Sequence, residues 1–199
     1  MSTRTSSLVL FSALGLTACD AGGIVSRAPT RIVLPDGIVV AGADGWCVDT
    51  RSTGASSVTS VVVLGSCAAI GGKAEAASPD VPGVVTVSVT SGGGDAPSPE
   101  ELEAYFVTER GRAALARDGQ PGSVRIVETR RTGSLLFLHA RDMSALPGAS
   151  DDVWKALFDL DGRVVSISLF GLEDRPIARD EGLSTLAAQV DELKAANDG

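Results

Sequence analysis

The hydrophobic positions of this 199-residue chain fall mostly in short runs separated by turn residues. The runs are rich in valine, isoleucine and leucine, a pattern typical of β-strands. They cover residues 31–34, 38–40, 58–67, 84–90, 124–130, 135–140, 153–160 and 163–170. Thr132-Gly133 and Asp161-Gly162 are hairpin-turn signals between neighbouring runs. The last four runs are therefore predicted to form an antiparallel meander.

Two segments carry a helical pattern instead. Ser98-Pro99-Glu100-Glu101 combines a capping serine, a proline at the first helical position and a glutamate that completes a capping box, which predicts a helix to about Arg117. Leu102, Tyr105 and Phe106 are expected to face the core, and Gly111 weakens this helix by about 1 kcal/mol relative to alanine. Near the C-terminus, apolar residues at helical spacing define a second helix: Leu183, Leu186, Ala187, Val190 and Leu193.

The run 135–140 is apolar on both faces of its predicted strand. A sheet tolerates such a strand only where each face is covered, and the two predicted helices are the available covers. The order of elements therefore predicts an α+β fold: an antiparallel meander sheet flanked by two helices, which is an α/β/α sandwich. The chain length favours a single domain, over residues 31–199.

The N-terminus has the features of an export signal. Residues 7–16 form an apolar segment of about 10 residues, too few to cross a bilayer, which takes about 20. Leu16-Thr17-Ala18-Cys19 follows and resembles the lipobox of bacterial lipoproteins. The resemblance implies that residues 1–18 are a signal peptide and that Cys19 becomes an acylated N-terminus, carrying lipid such as palmitate. An ordinary secretory peptide and a cytosolic chain with an apolar N-terminus are the alternatives.

A lipid on Cys19 would fix the location of the protein. Residues 19–30 would then be a lipid anchor and tether that reaches about 35–40 Å when fully extended, so the domain would stay close to the bilayer. The predicted location is the cell envelope, with the domain facing the periplasm. Asp20 resembles the inner-membrane retention signal of some enteric lipoproteins and favours the inner membrane.

The three cysteines balance once Cys19 is assigned to the lipid, because Cys47 and Cys67 remain as a pair. In an oxidising envelope this pair is expected to form a disulfide. Closing a loop of about 20 residues stabilises a fold by roughly 3 kcal/mol. No metal site is expected, because two cysteines at this spacing are too few ligands and His139 is the only histidine.

The formal net charge of −8 makes the surface acidic, so a nucleic-acid partner is not expected. Five arginines on or beside the predicted strands are candidates for a basic patch: Arg125, Arg130, Arg131, Arg141 and Arg163. Strand alternation separates Arg125 and Arg131 from Arg130, which favours ordinary surface ion pairs over one convergent anion site.

The sequence contains no recognisable catalytic or cofactor motif. G-x-S-x-G, S-x-x-K and H-E-x-x-H do not occur, and Gly92-Gly93-Gly94 lacks the lysine of a phosphate loop. His139 follows Leu135 and Phe137 on the same predicted strand face, which favours a packed or hydrogen-bonded histidine over a catalytic base. Carboxylate pairs such as Asp151-Asp152 are explained by turns and helix starts. We therefore predict no enzyme activity, no catalytic residues and no cofactor.

The order of elements, with Phe158-Asp159-Leu160-Asp161-Gly162-Arg163-Val164-Val165 in the meander, resembles the PsbP/Mog1-type sandwich over about residues 31–197. The resemblance implies a non-enzymatic accessory or assembly role. Trp46-Cys47 and Gly65-Ser66-Cys67 also resemble segments of uncharacterised small envelope lipoproteins, which brings no site residues. The favoured hypothesis is a membrane-anchored module that binds an envelope protein. The alternatives are a carrier of a small apolar or lipid ligand between sheet and helix, and an envelope hydrolase that uses His139 or a carboxylate.

Overall fold

The computed structural model describes residues 28–90 and 96–198. The predicted signal peptide, Cys19, Asp20 and most of the predicted tether lie outside the described residues. Within them, no helix is both long and apolar enough to cross a membrane.

The described residues form ten strands and four α-helices. The strands are β1 Arg31–Val33, β2 Val39–Ala41, β3 Trp46–Val48, β4 Gly54–Ala55, β5 Thr59–Ser66, β6 Gly83–Thr90, β7 Val124–Thr132, β8 Leu135–Asp142, β9 Ala149–Leu160 and β10 Arg163–Leu172. The helices are α1 Cys67–Gly71, α2 Pro99–Phe106, α3 Glu109–Leu115 and α4 Arg179–Ala195, with a 3₁₀ turn at Pro121–Ser123. The prediction of an α+β protein with antiparallel strands is confirmed.

The main sheet is larger than the predicted meander. Its strand order is β3-β5-β6-β10-β9-β8-β7, with β4 paired to β5, while β1 and β2 form a separate hairpin. All pairs are antiparallel. The meander β7–β10 is extended by β6, which pairs with the outer edge of β10. The predicted frame of one sheet and two helices is therefore too simple, because the structure has four helices and sheets of two and eight strands.

The helix predicted from Ser98 to about Arg117 is instead two helices. Ser98 caps α2 in the predicted capping box, in which the Glu101 amide donates to its hydroxyl. The chain then turns at Val107, and the hydroxyl of Thr108 caps α3 by accepting from Gly111 N at 3.0 Å. A Cβ on Gly111 would lie 2.0 Å from the Tyr105 carbonyl oxygen, so glycine permits the close approach of the two helices.

The two faces of the sheet have different covers. One face, which we call the α4 face, includes the buried row Val62, Val87, Ile167, Ala156 and Phe137, residues that pair across five adjacent strands. The predicted apolar stripe of α4 packs on this face together with residues of the β1–β2 hairpin. The opposite face, the α2 face, has a smaller core in which Leu102 and Phe106 contact Leu136 and Leu138.

Two amide side chains, one in α4 and one just beyond its end, bind the backbone at β2. Gln189, which is fully buried, donates to Ala41 O and accepts from Ala43 N at 3.0 Å. Asn197, just beyond α4, accepts from Val39 N at 2.9 Å and donates to Val39 O at 2.8 Å. These bonds satisfy backbone groups that an edge strand would otherwise leave unpaired, so they fix the hairpin on the α4 face.

Candidate functional site

The predicted disulfide joins Cys47 in β3 to Cys67 at the start of α1, with the two sulfur atoms 2.03 Å apart. It holds β3 at the edge of the main sheet. This part of the prediction is confirmed.

A surface cleft of about 650 Å³ lies beside the disulfide. It is bordered by residues 28–30, by residues 42–47 and by the Lys73–Ala77 segment. The amide of Val48 donates to Pro29 O at 2.7 Å, so the chain that leads towards Cys19 enters the domain at this corner. The ligand-carrier hypothesis predicts a cavity between sheet and helix, whereas this cleft lies at the edge of the sheet.

His139 is both packed and hydrogen-bonded. Its ring stacks on Trp154, with centroids 3.6 Å apart and planes at 12°, and its Nε2 lies 2.7 Å from Asp152 Oδ1. The helix α4 also packs on Trp154, since a Cβ on Gly182 would lie 2.6 Å from the indole ring. Among the described residues, the His139 ring is hydrogen-bonded only to Asp152, so no serine, threonine or cysteine is hydrogen-bonded to it as a nucleophile.

The five arginines do not form one patch. Arg131 pairs with Glu100 and Glu103, Arg141 with Asp152, and Arg163 with Asp36. The predicted alternation is also wrong. A bulge between Ile126 and Glu128 inserts one residue, so Arg125 pairs with Arg141 and Arg130 with Phe137 on the same sheet face, while Arg131 lies on the opposite face.

A more distinctive surface is the part of the α2 face formed by β5, β6 and β10, which we call the open face. In the part of the chain that the structure describes, α2 and α3 pack on β7 and β8 rather than on these three strands, and the short helix α1 contacts β5. Most of the outward-facing residues are half-buried or exposed, and all of them are uncharged: Val61, Val63, Val84, Thr86, Ser88, Thr90, Val164, Ser166, Ser168 and Phe170. The buried residues of these strands alternate with them and point to α4.

Lys155 borders the open face on β9. It pairs with Ser168 on one side and Leu138 on the other, and its Nζ donates to Ser168 Oγ at 2.6 Å. Among the described residues, no carboxylate lies within 4.0 Å of this amine. Burial lowers the pKa of Lys155 to about 8. The amine is therefore a poorly compensated positive charge beside an uncharged surface.

Tyr105 stands on the flank of α2 opposite to Glu103. At 100° per residue it lies about 160° around the helix axis from Glu103, which binds β7 through Thr129 and Arg131. Its side chain remains 39% exposed, although its ring packs against Phe106. The open face thus has a floor of valines and hydroxyls, with Lys155 at one side.

Sequence reasoning did not identify this surface. The signal available was the position of Lys155 within the apolar run 153–160, where a lysine at a buried strand position needs an explanation. The alternation of Thr86, Ser88 and Thr90 indicated a polar strand face, but alternation does not tell which neighbouring strands extend that face.

Comparisons with known proteins give little further information. No family model and no curated protein matches the chain. Among solved structures, it is similar to the extracellular domain of PknH from Mycobacterium tuberculosis, with 9% identity, a TM-score of 0.32, and coverage of 74% of this chain and 68% of that chain.

Proposed function

We propose that this protein is a non-catalytic lipoprotein of the cell envelope, anchored through Cys19, that binds another envelope protein through its open face. The observation that carries this proposal is the unequal cover of the main sheet. Among residues 28–90 and 96–198, the helices α2 and α3 close this face over β7 and β8 rather than over β5, β6 and β10. A sheet surface on which Val84 is 39% exposed and further valines are half-buried supports an interaction site at this place.

The Cys47–Cys67 disulfide supports a location outside the reducing cytosol. If Cys19 carries lipid, the eight residues up to position 27 let the domain move only about 30 Å from the membrane surface. The first described residues lie beside the disulfide, so this corner would face the bilayer. From Asp20, we also propose that the protein is anchored in the inner membrane. We further propose that its domain is a PsbP/Mog1-type sandwich.

The polar groups on the sheet support a binding role better than a catalytic one. Ser168 and Lys155 form a hydroxyl–amine pair, which in some hydrolases is a nucleophile and its base. Here Ser168 is 3% exposed and lies in the middle of β10, where pairing with β6 and β9 occupies the surrounding backbone amides. An acyl transfer needs free donors at the developing oxyanion, and strand pairing leaves none beside Ser168.

The test is crosslinking followed by mass spectrometry on intact membranes, comparing the native chain with Cys19→Ala. We expect the native chain to be labelled by a fatty-acid analogue and to yield a reproducible protein partner. The Cys19→Ala chain should lose the label and most of the partner, because anchoring raises the local concentration of both proteins. Equal recovery of the same partner from both chains would show that the anchor has no part in binding.

The cleft beside the disulfide keeps the carrier function as a second candidate, because its volume of about 650 Å³ is in the range of small-molecule sites. Native mass spectrometry of the full chain, extracted gently from membranes, would detect a bound lipid or other small molecule as an added mass. A carrier should retain that mass after Val84→Glu on the open face, since the cleft lies at a different place.

A further inference from the structure

We propose that the open face takes an amphipathic helix of the partner protein, and that a carboxylate of this helix pairs with Lys155. This inference rests on the proposed binding function and adds the chemistry and the place of contact.

The half of the α2 face that α2 covers shows how a helix packs on this sheet. There α2 buries Leu102 and Phe106 to 9% and 7% exposure against β8 and β9. Its acidic side chains then bind groups of β7: Glu103 Oε2 lies 3.0 Å from Arg131 Nε, and the Thr129 hydroxyl donates to Glu103. An amphipathic helix with carboxylates on one flank is therefore a cover that this sheet already accepts.

The open face has the dimensions for a second helix of that kind. Three adjacent strands at about 4.8 Å spacing span about 10 Å between their outer members, which equals the width of one helix. The valines of β5 and β6 provide apolar contact, and Val84 is 39% exposed.

The positive charge of Lys155, at the border of the open face, favours a partner that carries a carboxylate. Lys155 is the one charged side chain in its row across the sheet, which runs through Val63, Thr86, Ser168 and Leu138. Covering the open face would remove more water from this amine, and a buried amine without a counterion is costly. A carboxylate on the incoming helix offsets that cost. Two copies of this chain packed face to face would instead bring two such amines into one interface.

A zero-length crosslinker tests this contact directly. A water-soluble carbodiimide activates a carboxylate, and an amine in contact displaces the urea leaving group to form an amide. The chain has only three lysines, Lys73, Lys155 and Lys194, so the other two are internal controls. After treatment of membranes that contain the full chain, we expect peptide mapping to find Lys155 joined to an aspartate or glutamate within a helical segment of the partner.

Matched variants separate the open face from the rest of the surface. Val84→Glu places a charge on the open face, whereas Val33→Glu places the same charge on the β1–β2 hairpin at a position that is 65% exposed. We expect Val84→Glu to reduce the Lys155 crosslink about tenfold or more and Val33→Glu to leave it unchanged. Ser88→Glu, also on the open face, repeats the test if circular dichroism shows that Val84→Glu does not fold.

Other outcomes would overturn the inference. A partner joined only through Lys73 or Lys194 leaves the binding function intact but places it elsewhere. An amide bond between Lys155 and a carboxylate of the same chain would show that the counterion is internal. An amide bond to a second copy of the chain would be recognised in a mixture of isotope-labelled and unlabelled chains. If neither this reagent nor the general crosslinking above recovers any partner, the proposed binding function fails as well.

Discussion

The two halves of the main sheet share one backbone ladder but differ in how their side chains are buried. In β8, at the covered end, four consecutive residues from Leu135 to Leu138 are buried, so both faces meet apolar neighbours. In β5 and β6, buried residues alternate with half-buried or exposed ones. The difference shows that the position of α2 and α3, rather than the strand pairing, divides the sheet into a structural half and an accessible half.

The largest expected effect comes from the covered half. Leu136→Ala removes a side chain with no exposed surface that lies between β8 and α2, and we expect it to lower the free energy of unfolding by about 2–5 kcal/mol. Val61, in the same row and on the same sheet face, is only half-buried. Val61→Ala is expected to cost less than about 1 kcal/mol. Urea unfolding monitored by tryptophan fluorescence measures the free energy of unfolding of both variants. Equal losses would contradict the division of the sheet into a structural half and an accessible half.

The disulfide is the next largest contribution and acts on the edge of the accessible half. Replacing both Cys47 and Cys67 by serine should reduce the free energy of unfolding by about 3 kcal/mol, because the unfolded chain regains the freedom of the closed loop. Reduction of the native chain with dithiothreitol should give a similar loss. A reductant that further destabilises the double-serine variant would show that the effect does not come from this bond.

Close packing of α4 on the sheet predicts a smaller loss in the free energy of unfolding when Gly182 is replaced. Gly182→Ala places a Cβ 2.6 Å from the Trp154 ring, so helix and sheet must separate locally. We expect destabilisation by about 1–3 kcal/mol, together with a change in tryptophan emission. Ala187→Gly, on the same helix, is the control for helix propensity and should cost about 1 kcal/mol without that spectral change.

The smallest expected effect is on Lys155 and has a definite dependence on pH. Burial lowers its pKa to about 8 from 10.5, so between these values the unfolded chain binds more protons and stability rises with pH. Below pH 8 the cost of burying the charge is fully present. Lys155→Met should therefore stabilise the protein by about 1 kcal/mol at pH 7, and its advantage should shrink from pH 8 to 10. Thermal unfolding of both proteins across this range checks the prediction.

Several local features were predictable because neighbouring residues suffice to form them. The capping box at Ser98, the turn at Asp161-Gly162 and the apolar stripe of α4 each depend on a few adjacent side chains. The pairing of Cys47 with Cys67 also followed from the number of cysteines, because these two remain once Cys19 is assigned to the lipid. The helical pattern continues through Gly111 and therefore does not predict the break between α2 and α3, although Thr108 stands at a capping position three residues before that glycine. The bulge in β7 has no clear local signal in the sequence, because it changes only the pairing register.

The class of the fold, most of the strands, the disulfide and the apolar core residues follow from the amino-acid sequence, because hydrophobic period and turn chemistry act over short distances. Three properties follow from the three-dimensional packing: which strands adjoin β10, which part of the α2 face the described helices leave open, and that Lys155 stands at its border without a described carboxylate partner. These properties depend on contacts between residues far apart in the chain, and alternation along one strand is the same whether its outer face meets a helix or water.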